Sequence, residues 1–273
     1  MIGGPHTRLR GRLRVKDRVG ILRSLSGVVR GRLVRRFWDV MGPITDRVGP
    51  TVELDGVRVY VDPRFGRRIA MDLVSGDYEE SERQILSSHL VHDDIVMELG
   101  AGIGVISAFC AQRVGSARVF AYEGNPALER HIRRTYALNH VSPTCEMCLI
   151  GEHDGEHMFH VADDFWSSSS INKPRWPARS LQVPVKSFNR EVERIGPSVL
   201  IIDIEGGEHE LCRYADFLGV QKILLEVHEW IIGRRAVEHI RSCLADAGFT
   251  LTQPVPGPLL FAQRRPHVRA ASK

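Results

Sequence analysis

The chain has 273 residues, 43% of them hydrophobic and 26% charged, the ordinary balance of a soluble globular protein and enough for one large α/β domain with an extra segment. Five scattered cysteines do not make a disulfide framework, and no apolar stretch approaches the roughly 20 residues of a membrane-spanning helix. No apolar secretory core is visible near residue 1, so a cytoplasmic protein is expected.

The net charge of +4 is unevenly spread: residues 8–36 carry eleven Arg and Lys against the single acid Asp17, and the rest of the chain is slightly acidic. That distribution argues against nucleic-acid binding by the body. Within the arm, Val15, Val19, Leu22, Leu25, Val29, Leu33, Phe37 and Val40 recur at three- and four-residue steps, one face of a basic amphipathic helix. Three readings stay open: a helix docked on the domain or on a second subunit, a membrane-surface helix drawn to anionic lipid, and an organelle transit peptide. A peripheral membrane contact or an oligomer contact through residues 8–40 is therefore expected, and Gly42-Pro43 ends the helix.

Residues 51–62 alternate apolar and polar around Asp55-Gly56, which predicts a β-hairpin. A helix is predicted over 78–90, and this lead-in (residues 49–93) is expected to cap a cofactor cleft. The core, residues 94–265, then alternates strand and helix, the pattern of a parallel sheet covered on both faces. Strands are predicted at 94–97, 117–122, 145–150, 157–161, 199–202 and 223–227, and helices at 104–113, 126–139 and 234–247. Residues 166–180 read as a polar loop, 249–252 with 259–262 as a closing hairpin, and 266–273 as a tail.

The first core strand runs into Glu98-Leu99-Gly100-Ala101-Gly102-Ile103-Gly104, a tight glycine turn before a helix. Glycine tolerates positive φ and lets backbone approach a ligand, which suits a nucleotide-like cofactor across the strand's carboxyl end. A dinucleotide fingerprint needs a further glycine where Val105 stands. The spacing E-x-G-x-G-x-G is instead the form seen in S-adenosylmethionine (SAM) enzymes.

Ligands of open α/β sheets sit outside the carboxyl ends of the strands, where Glu98, Glu123, Asp203 and His228 all fall. Glu123 lies one strand beyond the turn, where a carboxylate accepts both ribose hydroxyls. Glu98 orients the turn or reaches the cofactor's amino group indirectly. Gly151-Glu152 either reads the adenine edge or is a plain turn. Asp203 ends an apolar strand and faces the cleft, whereas Glu208 opens a helix, where the dipole favours an acid in any case. His228 has the chemistry of a general base for a hydroxyl proton, or is a satisfied polar group. Cys145 and Cys148, with His153, His157 and His160 near them, lack a second cysteine pair, and no metal site is assigned.

Several segments together resemble the FkbM-like methyltransferases, a branch of the class I SAM-dependent enzymes. They are Tyr78-Glu79, residues 98–104 in place of the family's D-x-G-A-N-x-G, Tyr122-Glu123-Gly124-Asn125-Pro126 for its F-E-P-N-P, residues 149–155, Val183-Pro184-Val185, and residues 202–208 for its K-x-D-x-E-G-x-E. The resemblance covers about 77–264. It implies a doubly wound, mostly parallel seven-stranded sheet of the Rossmann-like kind and O-methylation of a hydroxyl on a small-molecule or glycan acceptor: a sugar, glycolipid or secondary metabolite. By position Glu98, Gly100, Gly102 and Glu123 would hold SAM, and Tyr78, Ala101, Gly104, Asn125, Gly151 and Glu152 lie in the same matched segments. Asp203, Glu208 and His228 would face the acceptor, with metal assistance through those three as a variant. Glu98 replaces the usual aspartate, Gly102 the usual asparagine, and Ile202 the usual lysine. The alternatives are a non-catalytic SAM-binding or assembly protein and a nicotinamide oxidoreductase, the second disfavoured by Val105.

Overall fold

The computed structural model describes residues 50–62, 64–162, 178–252 and 257–264. The expected N-terminal helix, the tail and most of the polar loop around Trp166 and Trp176 lie outside the described residues.

The chain enters through the hairpin β1 (Thr51–Leu54) and β2 (Val57–Tyr60). Its two-residue turn puts Asp55 and Gly56 at φ 47° and 93°, the positive pair that matches the twist of the strands. The hairpin leans on the helix layer rather than the cleft: the Arg58 N–H donates to Asn139 Oδ1 at 2.8 Å, and Gln112 Nε2 donates to the Gly56 carbonyl at 3.1 Å. Within the lead-in the cleft is bordered by the next two elements, α1 (Arg67–Ser75) and α2 (Glu80–His89). Sequence periodicity gave no sign of α1. It ends at Gly76, whose φ of 85° lets its N–H return to the Leu73 carbonyl.

The centre is a seven-stranded sheet. In chain order its strands are β3 (Val96–Leu99), β4 (Val119–Tyr122), β5 (Thr144–Glu146), β9 (Val199–Ile202), β10 (Lys222–Glu226), β11 (Phe249–Thr252) and β12 (Leu259–Arg264). They lie in the order β11-β12-β10-β9-β3-β4-β5. The five strands from β10 to β5 run parallel, and β12 is antiparallel to both β10 and β11. β3 and β9 are apolar or buried at every position because helices cover both faces.

On one face lies α3 (Val105–Val114), buried from Val105 through Ala111, with α4 (Glu129–Asn139) beside it. The other face is covered by α5 (Phe188–Ile195), α6 (Glu208–Tyr214) and α8 (Arg234–Asp246). Each fully buried Leu, Ile or Phe in these layers contributes about 1.5–3 kcal/mol by leaving water. From β3 the chain winds outward to β4 and β5, then returns to β9 and β10 on the other side, so winding reverses between β3 and β9. Doubly wound sheets open a ligand crevice at that point.

The strand predicted at 145–150 is two strands: β5 stays in the main sheet, and β6 (Leu149–Gly151) leaves it. β6 joins β7 (Gly155–Ala162) and β8 (Ala178–Ser187) in a second sheet of order β6-β8-β7. This sheet walls the side of the crevice.

Candidate active site

A cavity of about 1250 Å³ opens over the carboxyl ends of β3, β4, β9 and β10. Single-ligand pockets run to about 300–1,000 Å³, so there is room for a cofactor and an acceptor together. Among the described residues that line it, thirteen are Asp or Glu and Arg68 is the one Arg or Lys. A wall of that charge favours a cationic guest such as a sulfonium.

The glycine turn forms the floor between β3 and β4. The Gly100 and Ala101 N–H groups both donate to the Tyr122 carbonyl, at 2.9 and 3.1 Å. Gly100 has φ +89°, and a Cβ there would lie 1.8 Å from the Asp203 carbonyl oxygen, so β3 and β9 meet as closely as they do only because position 100 is glycine. Gly102 donates its N–H to Glu123 Oε2 at 2.8 Å, and Asn125 donates to Glu123 Oε1 at 2.7 Å. Asn125 in turn caps the following turn, its Oδ1 accepting the Ala127 N–H at 3.1 Å. Glu123 thus ties the turn to the next strand while lining the cavity. Burial pushes its carboxyl up to about 7, against the pull of the Asn125, Gly102 and Gly124 amides.

Other sequence candidates are sorted by whether they reach the cavity. Tyr78, Gly100, Gly102, Glu123, Gly151, Glu152 and Asp203 line it. Ala101, Gly104 and Asn125 shape the turn from behind. Glu98 does not line the cavity, which fits the turn-orienting role read from its position and not the direct hold on SAM that the resemblance implies. As the last-but-one residue of β3 it turns inward, is 2% exposed, and is raised to about 8 by burial, which outweighs its bond to Ser107. Tyr136 donates to the same Ser107 hydroxyl at 2.8 Å, so Glu98 anchors α3 and α4 beneath the turn. The cysteine and histidine cluster yields no metal-ligand grouping among the described residues, since Cys145 lies in β5 and Cys148 follows it.

The second half of the site lies over β9 and β10. Asp203 follows β9, and its N–H donates to the Leu99 carbonyl at 2.9 Å. Burial at the cavity floor, with Glu226, Glu205 and Glu79 nearby, holds its carboxyl well above the usual range. Glu226 ends β10, and Glu205 (φ +49°) stands in the loop after β9; both line the cavity. Glu208 and His228 do not line it. They stand one layer back, where Glu208 Oε1 accepts from His228 Nδ1 at 2.6 Å and from the Gly206 N–H at 2.9 Å. His228 is held above its usual pKa: burial opposes its charge, but the bond to Glu208 and the charges of Glu205, Glu208 and Glu226 outweigh it. Its place behind the wall corrects the expectation that it faces the acceptor.

Sequence reading assigned no role to Glu79, Glu205, Glu226 and Trp230, all in the lining. Glu226 had a legible signal: it stands two residues before His228, hence on the same side of an extended chain. Trp230, 70% exposed, sits at the cavity in α7 (Glu229–Ile232) and had no signal beyond its chemistry.

Residues 98–251 match the model of one protein family, described as the methyltransferase FkbM domain. The chain belongs to the FkbM methyltransferase family. The match runs from Glu98 into β11 and so spans every strand-end residue above. Its methyl donor is S-adenosylmethionine. A search of the curated proteins finds no match.

Among solved structures the chain is similar in fold to M. jannaschii TYW2 in complex with AdoMet (15% identity, 79% of this chain and 86% of that one, TM-score 0.43). It is also similar to a methyltransferase from Pyrococcus furiosus (13% identity, 85% and 98%, TM-score 0.43). A third is the Pyrococcus abyssi tRNA (uracil-54, C5)-methyltransferase in complex with S-adenosyl-L-homocysteine (14% identity, 78% and 43%, TM-score 0.43). The last is named for a tRNA, and the exclusion of nucleic acid drawn from the charge of the body does not stand. Among the described residues no helix is long and apolar enough to cross a membrane.

Proposed function

We propose that this FkbM-family protein is an O-methyltransferase, moving the methyl group of SAM to a hydroxyl oxygen of a sugar, glycolipid or secondary metabolite. The observation that carries the reading is the contact of the two half-sites, with Gly100 of the glycine turn packed on the Asp203 backbone at the cavity floor. SAM lies along the turn with its ribose on Glu123, and its sulfonium methyl points toward Asp203. An acceptor hydroxyl over β9 and β10 attacks that methyl in line. The oxygen–carbon bond forms, the carbon–sulfur bond breaks, its electron pair stays on sulfur, and the hydroxyl proton passes to Asp203. Little bond-making falls to the protein, so most of the rate comes from positioning.

Asp203 is the favoured base over His228 because it lines the cavity and His228 does not. The Glu208–His228 pair positions it from behind: His228 Nε2 lies 3.7 Å from Asp203 Oδ1. The amphipathic arm at residues 8–40 would bring the enzyme to a membrane surface or to a second copy of itself.

The test is incubation of cell extract with methyl-labelled SAM and protein, followed by fractionation and mass spectrometry. Label in a low-molecular-weight or lipid fraction as an O-methyl ether, lost in Asp203→Asn with SAM binding kept, supports the reading. Label in protein or nucleic acid overturns the acceptor class. No labelled product from a protein that binds SAM favours a non-catalytic role.

A further inference from the structure

We propose that Asp203, Glu226 and His228 form a binding site for one divalent cation, chemically suited to Mn²⁺, on the acceptor side of the cavity. One donor atom from each lies within 4.8 Å of the other two. His228 Nε2 stands 3.7 Å from Asp203 Oδ1 and 3.9 Å from Glu226 Oε1. Two donors held about 2.2 Å from one ion, at an angle between roughly 90° and 115°, are about 3.1–3.7 Å apart. The two His228 pairs need a shift of a few tenths of an ångström, and the Asp203–Glu226 pair, within 4.8 Å, one of up to about 1 Å, to close the set around an ion.

The independent observation is the imidazole itself. His228 is 6% exposed, and Glu208 holds its Nδ1 at 2.6 Å. The ring is thereby fixed with Nε2 aimed at three carboxylates, those of Glu205, Asp203 and Glu226, at 3.6, 3.7 and 3.9 Å. An N–H donating to a carboxylate closes to about 2.7–2.9 Å, and buried polar groups ordinarily do so. Here none of the three closes, and the Asp203 Oδ1 atom is buried without a hydrogen-bond partner. This is the spacing of donors around a common ion rather than around a proton. Among the described residues neither Asp203 nor Glu226 pairs with a Lys or Arg. Glu208 adds the outer carboxylate that orients a ligating histidine and selects the tautomer with a free Nε2.

One imidazole with two carboxylates is a mixed donor set that accepts Mn²⁺ and neighbouring divalent ions. Three protein ligands leave further positions open, and Asp203 and Glu226 line the cavity. The ion therefore faces the acceptor and would hold its hydroxyl oxygen and ease loss of the proton. That last role rests on the methyltransferase reading; the binding site does not. The site takes Glu226 in place of Glu208 in the metal-assisted variant that the sequence left open.

The test is electron paramagnetic resonance of Mn²⁺ titrated into the full chain, since the six-line signal of the free ion falls on binding. The expected result is one ion per chain, with affinity at least tenfold weaker in Glu226→Gln and in His228→Gln. SAM affinity, measured by calorimetry on the same samples, should stay within twofold of the native value, which also shows that the variants fold. Undiminished free signal in the native protein at millimolar Mn²⁺, or equal affinity in both variants, overturns the site. Mn²⁺ binding without SAM binding would leave the site standing and remove the methyltransferase reading. SAM binding without Mn²⁺ binding would do the reverse.

Discussion

Replacing Glu123 by alanine strikes the joint between the glycine turn and β4. The carboxylate accepts two backbone N–H groups, from Gly102 at 2.8 Å and Asn125 at 2.7 Å, and both donors lose that partner in the variant. Hydrogen bonds to a charged group contribute about 1.5–3 kcal/mol each, and water entering the gap returns part of it, so a net stability loss of about 2–3 kcal/mol is expected. SAM loses more: the turn is no longer pinned, and the ribose loses an acceptor for its two hydroxyls. A loss of about 2.8 kcal/mol raises the dissociation constant roughly a hundredfold.

The same residue predicts a pH dependence. Its carboxyl is raised to about 7, and bound SAM, with a sulfonium and ribose donors, favours the ionised form. Affinity for SAM in the native chain should therefore rise with pH through about 7, by at most about tenfold per unit, and flatten in the alanine variant. Calorimetric titration of SAM from pH 5.5 to 8 measures both effects, and thermal melts confirm that the variant is folded. A folded Glu123→Ala that binds SAM within twofold of the native chain would refute the ribose assignment.

The geometry predicts three further outcomes. Gly100→Ala places a Cβ 1.8 Å from the Asp203 carbonyl at φ +89°, so it should lose about 2–4 kcal/mol of stability in denaturant melts and most SAM binding. Glu98 is raised to about 8 from an ordinary 4.5, so the folded chain keeps a proton that the unfolded chain gives up. Stability should then fall as pH rises from about 4.5 to 8, by about 3 kcal/mol at pH 7 from this group, and Glu98→Gln should flatten the slope of melting temperature against pH. Trp230→Ala, at an exposed edge of the cavity, should raise the acceptor KM and leave SAM affinity unchanged in the labelling assay.

The parts of the fold legible in sequence are those whose local chemistry and tertiary role coincide. Val199–Ile202 reads as a strand because a β-branched apolar run suits a sheet covered on both faces, and Asp203 stands out by ending it. The glycine turn is legible because its glycines answer a backbone need, shown by the contact of Gly100 with Asp203. Where the chain changes sheets, between Glu146 and Leu149, the apolar run is continuous and gives no sign of the break. Helix α5 is short, and its buried Glu191 interrupts the apolar face; besides its neighbour Arg194, that acid is satisfied by Tyr122, which lies far away in the sequence and so leaves no local trace. In the site, Glu98 and His228 are correctly placed at strand ends, but which way each side chain turns is set by Ser107 and Glu208, partners known only in the folded chain.

The central claim is that one cavity places the sulfonium of SAM over the glycine turn and beside Asp203. A crystal structure of the chain with S-adenosylhomocysteine tests it most directly. The account predicts the ribose hydroxyls on Glu123 and the sulfur turned toward Asp203. A ribose bound away from Glu123, or a sulfur turned from Asp203 toward the second sheet, would contradict it.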